Sequence, residues 1–238
     1  MIEVEDLVKD YGAVKAVQGI TFTVPKGELF CFLGPNGAGK TTTIKMLCGL
    51  LRPTHGTIRV AGIDLREDPR AIRQITGYIP DMPYLYDLLT VVEFLDFTGE
   101  LYRIPRDRFR PERDRYLDLF GLHDHRNSLV RDLSHGLRQR LVYASTLLQE
   151  PDVMFVDEPF VGLDPHSIRL IQDLLKQQTA RGVTIFLTTH ILALAESMAD
   201  RIGIIAKGQI AAFGTLAEIR AQRDHAGSLE DLFLSLTA

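Results

Sequence analysis

The chain has 238 residues, 45% of them hydrophobic, with a formal net charge of −4 and a pI near 6.0. That is enough apolar residue for one large domain or two small ones, and no global basic field recruits nucleic acid or anionic lipid. No apolar run approaches the ~20 residues a bilayer-spanning helix needs, and Glu3, Glu5 and Asp6 interrupt any secretory signal at the N-terminus.

In chain order, Ile2 and Val4 and then Val17, Ile20, Phe22 and Val24 alternate with polar residues, which predicts short antiparallel strands with one wet face. Tyr11 stands in the turn between them. It is either a surface turn aromatic or a ring stacked on a nucleobase. Leu29 to Leu33 reads as a buried strand, and Thr42 to Leu51 carries Ile44, Leu47, Leu50 and Leu51 at helical spacing. Between them runs Gly34-Pro35-Asn36-Gly37-Ala38-Gly39-Lys40-Thr41-Thr42, a complete match to G-x-x-x-x-G-K-[ST] in strand–loop–helix context. A triphosphate needs this combination. Gly37 and Gly39 let backbone N–H groups converge without a Cβ in the way, and the helix start adds unpaired donors. Lys40 brings a charge to the β- and γ-phosphates, and the Thr41 hydroxyl is a hard-oxygen ligand for Mg²⁺. Cys31 and Cys48 flank this loop in no metal or disulfide pattern and read as small buried apolar residues.

Thr57 to Ala61 predicts a further strand before the turn Gly62-Ile63-Asp64. Ile75 to Pro80 predicts a strand running into the loop Asp81 to Leu89. Thr90-Val91-Val92-Glu93 is a capping box opening a helix with Val91, Phe94, Leu95 and Leu101. Between Arg103 and Arg115 six arginines face three acids, which reads as a solvated loop and helix face, with anionic headgroups or an acidic partner surface as the sharper alternative. His123-Asp124-His125 lacks further ligands nearby and reads as a loop histidine pair. Ser134 stands at an N-cap before an apolar helix reaching Leu148. Val153 to Val156 is a buried strand ending in Asp157-Glu158-Pro159, and Asp164-Pro165 starts a helix. A strand from Val183 to Leu187 ends in Thr188-Thr189-His190. Strands Ile202 to Ala206 and Gln209 to Phe213 follow, then helices from Leu216 to Arg223 and from Leu229 to Leu236.

A buried strand that delivers two acids at its C-terminal end suits a phosphate-cleaving site beside a glycine loop. Asp157 fits Mg²⁺ coordination, Glu158 could polarise the attacking water, and His190, at another strand end, could sense the γ-phosphate.

These residues resemble, over nearly the whole chain, the ATP-binding subunit of an ATP-binding-cassette (ABC) transporter. Gly34 to Thr42 is similar to its Walker A loop, Val153 to Glu158 to Walker B with the catalytic glutamate, Gly162-Leu163-Asp164 to the D-loop, and His190 to the switch histidine. Tyr11 falls where the family places its adenine-stacking aromatic. Leu133 to Arg140 lies where the family's Leu-Ser-Gly-Gly-Gln signature sits, but His135 replaces the first Gly and Leu137 the Gln. Ser134 and Gly136, the phosphate-contacting positions, are kept. Asp81 stands where the family usually has a glutamine that senses Mg²⁺ and the membrane partner.

The resemblance implies an α/β fold with a P-loop NTPase (RecA-like) core and a mainly parallel sheet. It implies an antiparallel β subdomain and an inserted helical subdomain within one ABC ATPase domain. The expected division is 1–88 and 151–220 for the core with its β subdomain, 89–150 for the helical signature subdomain and 221–238 for a C-terminal helical tail. Implied catalytic residues are Glu158, His190 and Lys40. ATP would be held by Tyr11, Gly34 to Thr42, Ser134, Gly136 and Asp164, and Mg²⁺ by Thr41, Asp157 and Asp81. The implied partners are a membrane-spanning subunit and a second cassette, identical or paired, in the ATP-bound state, with no nucleic acid. The implied location is the cytoplasmic face of the cell membrane. The signature changes, Asp81 and the ending Ser228-Leu229-Glu230-Asp231-Leu232-Phe233-Leu234 resemble the export branch. An importer subunit, or a soluble ABC-type ATPase such as one serving iron–sulfur assembly, is the alternative.

Overall fold

A computed structural model describes residues 1–222 and 229–237. Arg223 and Ser228 of the sequence expectations lie outside it, as does Ala238. The chain opens with β1 (Ile2–Asp10) and β2 (Lys15–Val24), then β3 (Leu29–Leu33) and α1 (Lys40–Leu47). Next come β4 (His55–Val60), β5 (Ile63–Asp64), α2 (Pro69–Ile75) and β6 (Thr76–Ile79). Three helices follow, α3 (Val91–Leu101), α4 (Arg106–Leu119) and α5 (His135–Leu147), then β7 (Val153–Asp157), α6 (Pro165–Ala180) and β8 (Thr184–Thr189). The remaining elements are α7 (Leu192–Met198), β9 (Arg201–Ala206), β10 (Gln209–Gly214), α8 (Leu216–Gln222) and α9 (Leu229–Thr237).

Two sheets form. One is antiparallel, in the order β2-β1-β4-β5. The other runs β10-β9-β3-β8-β7-β6, parallel except for β10 at its edge. Every central strand of the second sheet is buried on both faces, which is why its strands read as continuous apolar runs. The faces divide strictly by the strand's two-residue period. Leu29, Cys31, Leu33, Met154, Val156, Ile185 and Leu187 turn into a core shared with α3 to α6. Phe30, Phe32, Phe155 and Phe186 turn the other way, towards α1 and the antiparallel sheet. There Phe22 meets Phe30 with ring centroids 5.8 Å apart, and Phe30 meets Phe186 at 5.2 Å. Aromatic contacts of this kind lock one sheet onto the other.

Two sequence expectations are corrected. The helix after the glycine loop stops at Leu47, not Leu51, with Cys48 as its C-cap and Gly49 at φ +68°. Leu50 is exposed, so its helical spacing was coincidental. Ile75 does not open β6 but closes α2, a helix absent from the sequence reading. Asp68 caps it by accepting from the Arg70 and Ala71 amides, and Pro69 sits at its first position. The helix expected after Thr90 runs over Val91–Leu101, with Val91, Phe94 and Leu95 buried and Leu101 62% exposed. The capping box at Thr90 is present in both directions: Thr90 Oγ1 accepts from the Glu93 amide, and Glu93 accepts from the Thr90 amide. Among the described residues no helix is long and apolar enough to cross a membrane.

Candidate nucleotide site

Parallel strands β3, β8 and β7 align Leu33 with Thr189, and Asp157 with Thr188. The segments that leave their C-terminal ends therefore emerge along one edge: the glycine loop, His190, and Glu158. In an open parallel sheet this edge is where ligands bind.

The glycine loop is braced from two sides. A Cβ at Gly34 would run into the Ile205 carbonyl and the Ala38 side chain, and one at Gly39 into the Ala16 carbonyl. Gly37 and Gly39 have φ of +80° and +109°, the left-handed region that only glycine adopts freely. The turn joining β9 to β10 supports the loop from below. Gly208 N donates to Ala38 O at 3.1 Å, and Gly208 O accepts from Gln18 N at 2.8 Å. Ala38 N closes on Pro35 O at 3.2 Å, while Asn36 and Gly37 stay exposed. Helix α1 starts with no side-chain cap and no acid in its first turn. The early N–H groups, those of Lys40, Thr41 and Thr42 among them, are thus left for an anion.

Lys40 is buried. Its Nζ donates to Gly34 O at 2.7 Å and Pro35 O at 3.3 Å and lies 3.3 Å from Glu158 Oε1. The other Glu158 oxygen is 2.9 Å from His190 Nδ1. The Glu158 carboxylate thus sits between a lysine and an imidazole. Its own backbone is held at φ +45° because its N–H bonds both the carbonyl and the hydroxyl of Thr188, each at 3.1 Å. This non-glycine left-handed residue is a local cost retained where the carboxylate must be aimed. Asp157 Oδ1 accepts from Thr188 Oγ1 at 2.5 Å and from Thr41 Oγ1 at 3.4 Å. Burial pushes the Asp157 carboxyl up, the Thr188 and Thr41 hydroxyls oppose that, and the nearby charges of Glu158 and Asp81 raise it further. A divalent cation between Thr41 and Asp157 would relieve this crowding of negative charge, so the oxygen set fits Mg²⁺. Asp81 itself is exposed, two residues beyond β6.

Thr188 is the residue the sequence reading passed over as a site residue. It joins both acids, and the only sequence signal was its place beside Thr189-His190. Thr188→Val is expected to cut turnover about 10–100-fold, as loss of an outer support for a metal ligand usually does. Phosphate release set against a retained melting temperature checks this.

Tyr11 is 56% exposed, in the turn that feeds β2 where Ala16 lies against Gly39, with Lys9 Nζ 5.0 Å from its ring centroid. Ser134 caps α5, accepting from Leu137 N at 3.4 Å. The start of α5 packs on the loop after β7. A Cβ at Gly162 would lie 3.5 Å from the His135 ring, and one at Gly136 would lie 3.8 Å from Leu163. Leu137 is half-buried and packs against the core.

Asp164 is committed to capping α6. Its carboxylate accepts from the His166 and Ser167 amides and from Ser167 Oγ, and these bonds bring its pKa down to about 2. A depressed carboxyl stabilises the fold above the unfolded value near 3.9, and the contribution fades as pH falls towards about 2. Asp164→Asn is therefore expected to keep part of the cap but lose the acid-range dependence. Asp164→Ala should lower the melting point at neutral pH by about 2–4 °C. Thermal melts between pH 7 and pH 2.5 check both.

Cys31 and Cys48 are buried, and burial drives both thiols up, so neither is a reactive thiolate. Among the described residues no group of His, Cys, Asp and Glu could hold a metal by itself.

A glycine loop at a helix start, a lysine and threonine behind it, and paired acids with a histidine on adjoining strand ends define a nucleotide-hydrolysing cassette. The chain belongs to the ABC transporter ATPase family: the profile of the family described as ABC transporter matches residues 17–161. Among curated relatives it is 40% identical over 223 residues to the probable multidrug ABC transporter ATP-binding protein YbhF of Escherichia coli (strain K12). The match covers 93% of this chain but 38% of that protein, so the chain spans well under half of that relative's length. It is 40% identical to the daunorubicin/doxorubicin resistance ATP-binding protein DrrA of Streptomyces peucetius, over 92% of this chain and 67% of that one. With the ABC-type transporter ATP-binding protein EcsA of Bacillus subtilis (strain 168), identity is 33% over 100% of this chain and 96% of that one. Among solved structures, an ATP-binding subunit of an ABC transporter superposes with a TM-score of 0.94 at 36% identity, covering 100% of both chains. The dimeric cassette MJ0796 superposes at 0.83 with 25% identity, over 91% of this chain and 99% of that one.

Proposed function

We propose that this ATPase powers export of a substrate through a separate membrane-spanning partner, working as a pair of cassettes on the cytoplasmic face of the membrane. Glu158 carries the reading. Its carboxylate is aimed along the edge where the glycine loop opens, held between Lys40 and His190. A bound triphosphate competes for Lys40 and draws it away from Gly34, Pro35 and Glu158. Glu158 is then free to take a proton from the attacking water, with His190 keeping its orientation. Thr41 and Asp157 would hold Mg²⁺, with Asp81 facing the same region. The ion would neutralise charge on the bound phosphates. Ser134 and Gly136, at the exposed start of α5, would meet the nucleotide of the second cassette, and Tyr11 the adenine. The loop 160–164, packed on that helix start, links Glu158 to it. Binding closes the pair, release of phosphate reopens it, and the differential affinity moves the partner between two access states.

Support for a membrane partner comes from an apolar groove of about 340 Å³ lined by Tyr84, Tyr86, Phe97, Leu101 and Tyr102. Tyr84 is 91% exposed, an exposure that fits a helix laid in from a partner. Support for export comes from the names of the relatives, one called a probable multidrug transporter protein and one a drug-resistance protein. Phe97→Asp with Tyr84→Asp is expected to leave MgATP hydrolysis by the purified chain intact and abolish its copurification with a polytopic membrane protein from detergent-solubilised membranes. Copurification of that double variant with the membrane protein at the parent level would count against the groove. The export reading predicts ATP-driven substrate uptake into inside-out vesicles and none into right-side-out ones.

A further inference from the structure

The arginine run from Arg103 to Arg115 has no part in the nucleotide site, and the structure sorts its six guanidinium groups into two sets. Arg108 pairs with Glu150 at 2.9 Å, Arg113 with Asp96 at 2.8 Å and Asp114 at 2.9 Å, and Arg115 with Glu112 at 2.6 Å. Among the described residues, the side chains of Arg103, Arg106 and Arg110 have no ion-pair or hydrogen-bond partner. These three converge with Arg113 on one cleft of about 430 Å³ where α3 ends and α4 begins. Of the two acids in that cleft, Asp96 is already bound to Arg113, which leaves Glu100 alone against three free cations.

For Arg106 the placement is a cost to the fold. Arg106 occupies the first position of α4, where the helix dipole disfavours a cation. Arg103, at φ +53°, is the left-handed residue that closes α3, with Ile104 N bonded to Gly99 O at 2.9 Å, and its guanidinium is left without a direct bond. Beside the strip, at the end of α3, Leu101 is 62% and Tyr102 41% exposed. Both also line the groove assigned above to the membrane partner, so the strip is continuous with that surface. Free guanidinium groups bind phosphate oxygens in pairs, and an aliphatic–aromatic fringe beside them suits the boundary between headgroups and acyl chains. Duplex nucleic acid is disfavoured by the overall charge of −4.

We propose that Arg103, Arg106 and Arg110 form a docking strip for anionic phospholipid headgroups, with Leu101 and Tyr102 at its apolar edge. Only the orientation towards the bilayer rests on the membrane-partner reading; lipid binding by the strip does not.

The test is flotation of the purified chain with vesicles of phosphatidylcholine alone and with 30% phosphatidylglycerol, at low and moderate salt. The chain is expected to float with the anionic vesicles only, less so as salt rises. The triple variant Arg103→Gln, Arg106→Gln, Arg110→Gln is expected to partition about a hundredfold less, given what each cation contributes at such a surface. Its basal ATP hydrolysis should not change. A control triple, Arg59→Gln, Arg70→Gln, Arg73→Gln, removes the same net charge elsewhere and should float like the parent. The proposal is overturned by equal flotation with both vesicle types, or by equal loss in the control triple. It is also overturned if millimolar inorganic phosphate displaces the chain from the vesicles, or if duplex DNA binds the strip more tightly than they do. The vesicles hold no membrane protein, so failure here leaves the partner reading standing, and failure of that reading leaves this result standing.

Discussion

Glu158→Gln is expected to lower ATP turnover by about 10²–10⁴-fold, the usual contribution of a positioned general base, while ATP affinity stays within a few-fold of the parent. The amide keeps the size and the contact with His190 but cannot accept the water's proton. It also removes a negative charge beside Lys40 and Asp157, so the triphosphate meets less repulsion. Uncleaved nucleotide should then hold two cassettes together. Single-turnover phosphate release together with size-exclusion chromatography in MgATP checks this. Turnover at the parent rate would remove Glu158 from the role of base.

Lys40→Ala is expected to abolish measurable nucleotide binding as well as turnover. The lysine is buried, and its Nζ satisfies the Gly34 and Pro35 carbonyls while balancing Glu158. Without it the loop loses its only full positive charge, and Glu158 and Asp157 are left adjacent with no cation between them and the phosphates. The parent protein at 100 times its Kd for MgATP should gain about 2.7 kcal/mol, a rise of roughly 5–10 °C for a chain of this size. The variant should show no rise. An arginine is not an adequate substitute, because its planar fork cannot enter the space between two backbone carbonyls.

Much of the site was legible because its signals are local. The glycine loop lies between an apolar strand and a helix, two acids close a buried strand, and Asp164-Pro165 is a cap followed by proline. Each of these is read within ten residues. The same local logic was available at Asp68-Pro69 and would have revealed α2. What was not legible depends on contacts between distant segments. Thr188 matters because β7 and β8 are adjacent in register. Gly34 and Gly39 are confined by Ile205 and Ala16, residues remote in sequence. Leu50 shows the converse error. Its spacing fits a helix, but Gly49 adopts φ +68° and ends α1 before it. Leu137, where the signature has a polar residue, is partly buried against the core, and no local pattern reveals that.

Hydrolysis at Glu158 is proposed to drive a membrane-spanning partner. The most direct measurement is to express tagged Glu158→Gln in the source cell, solubilise membranes gently in ATP and Mg²⁺, and identify what copurifies. A polytopic membrane protein in stoichiometric amount with two cassettes is expected. A trapped cassette pair accompanied by soluble proteins alone, or by none, would contradict it.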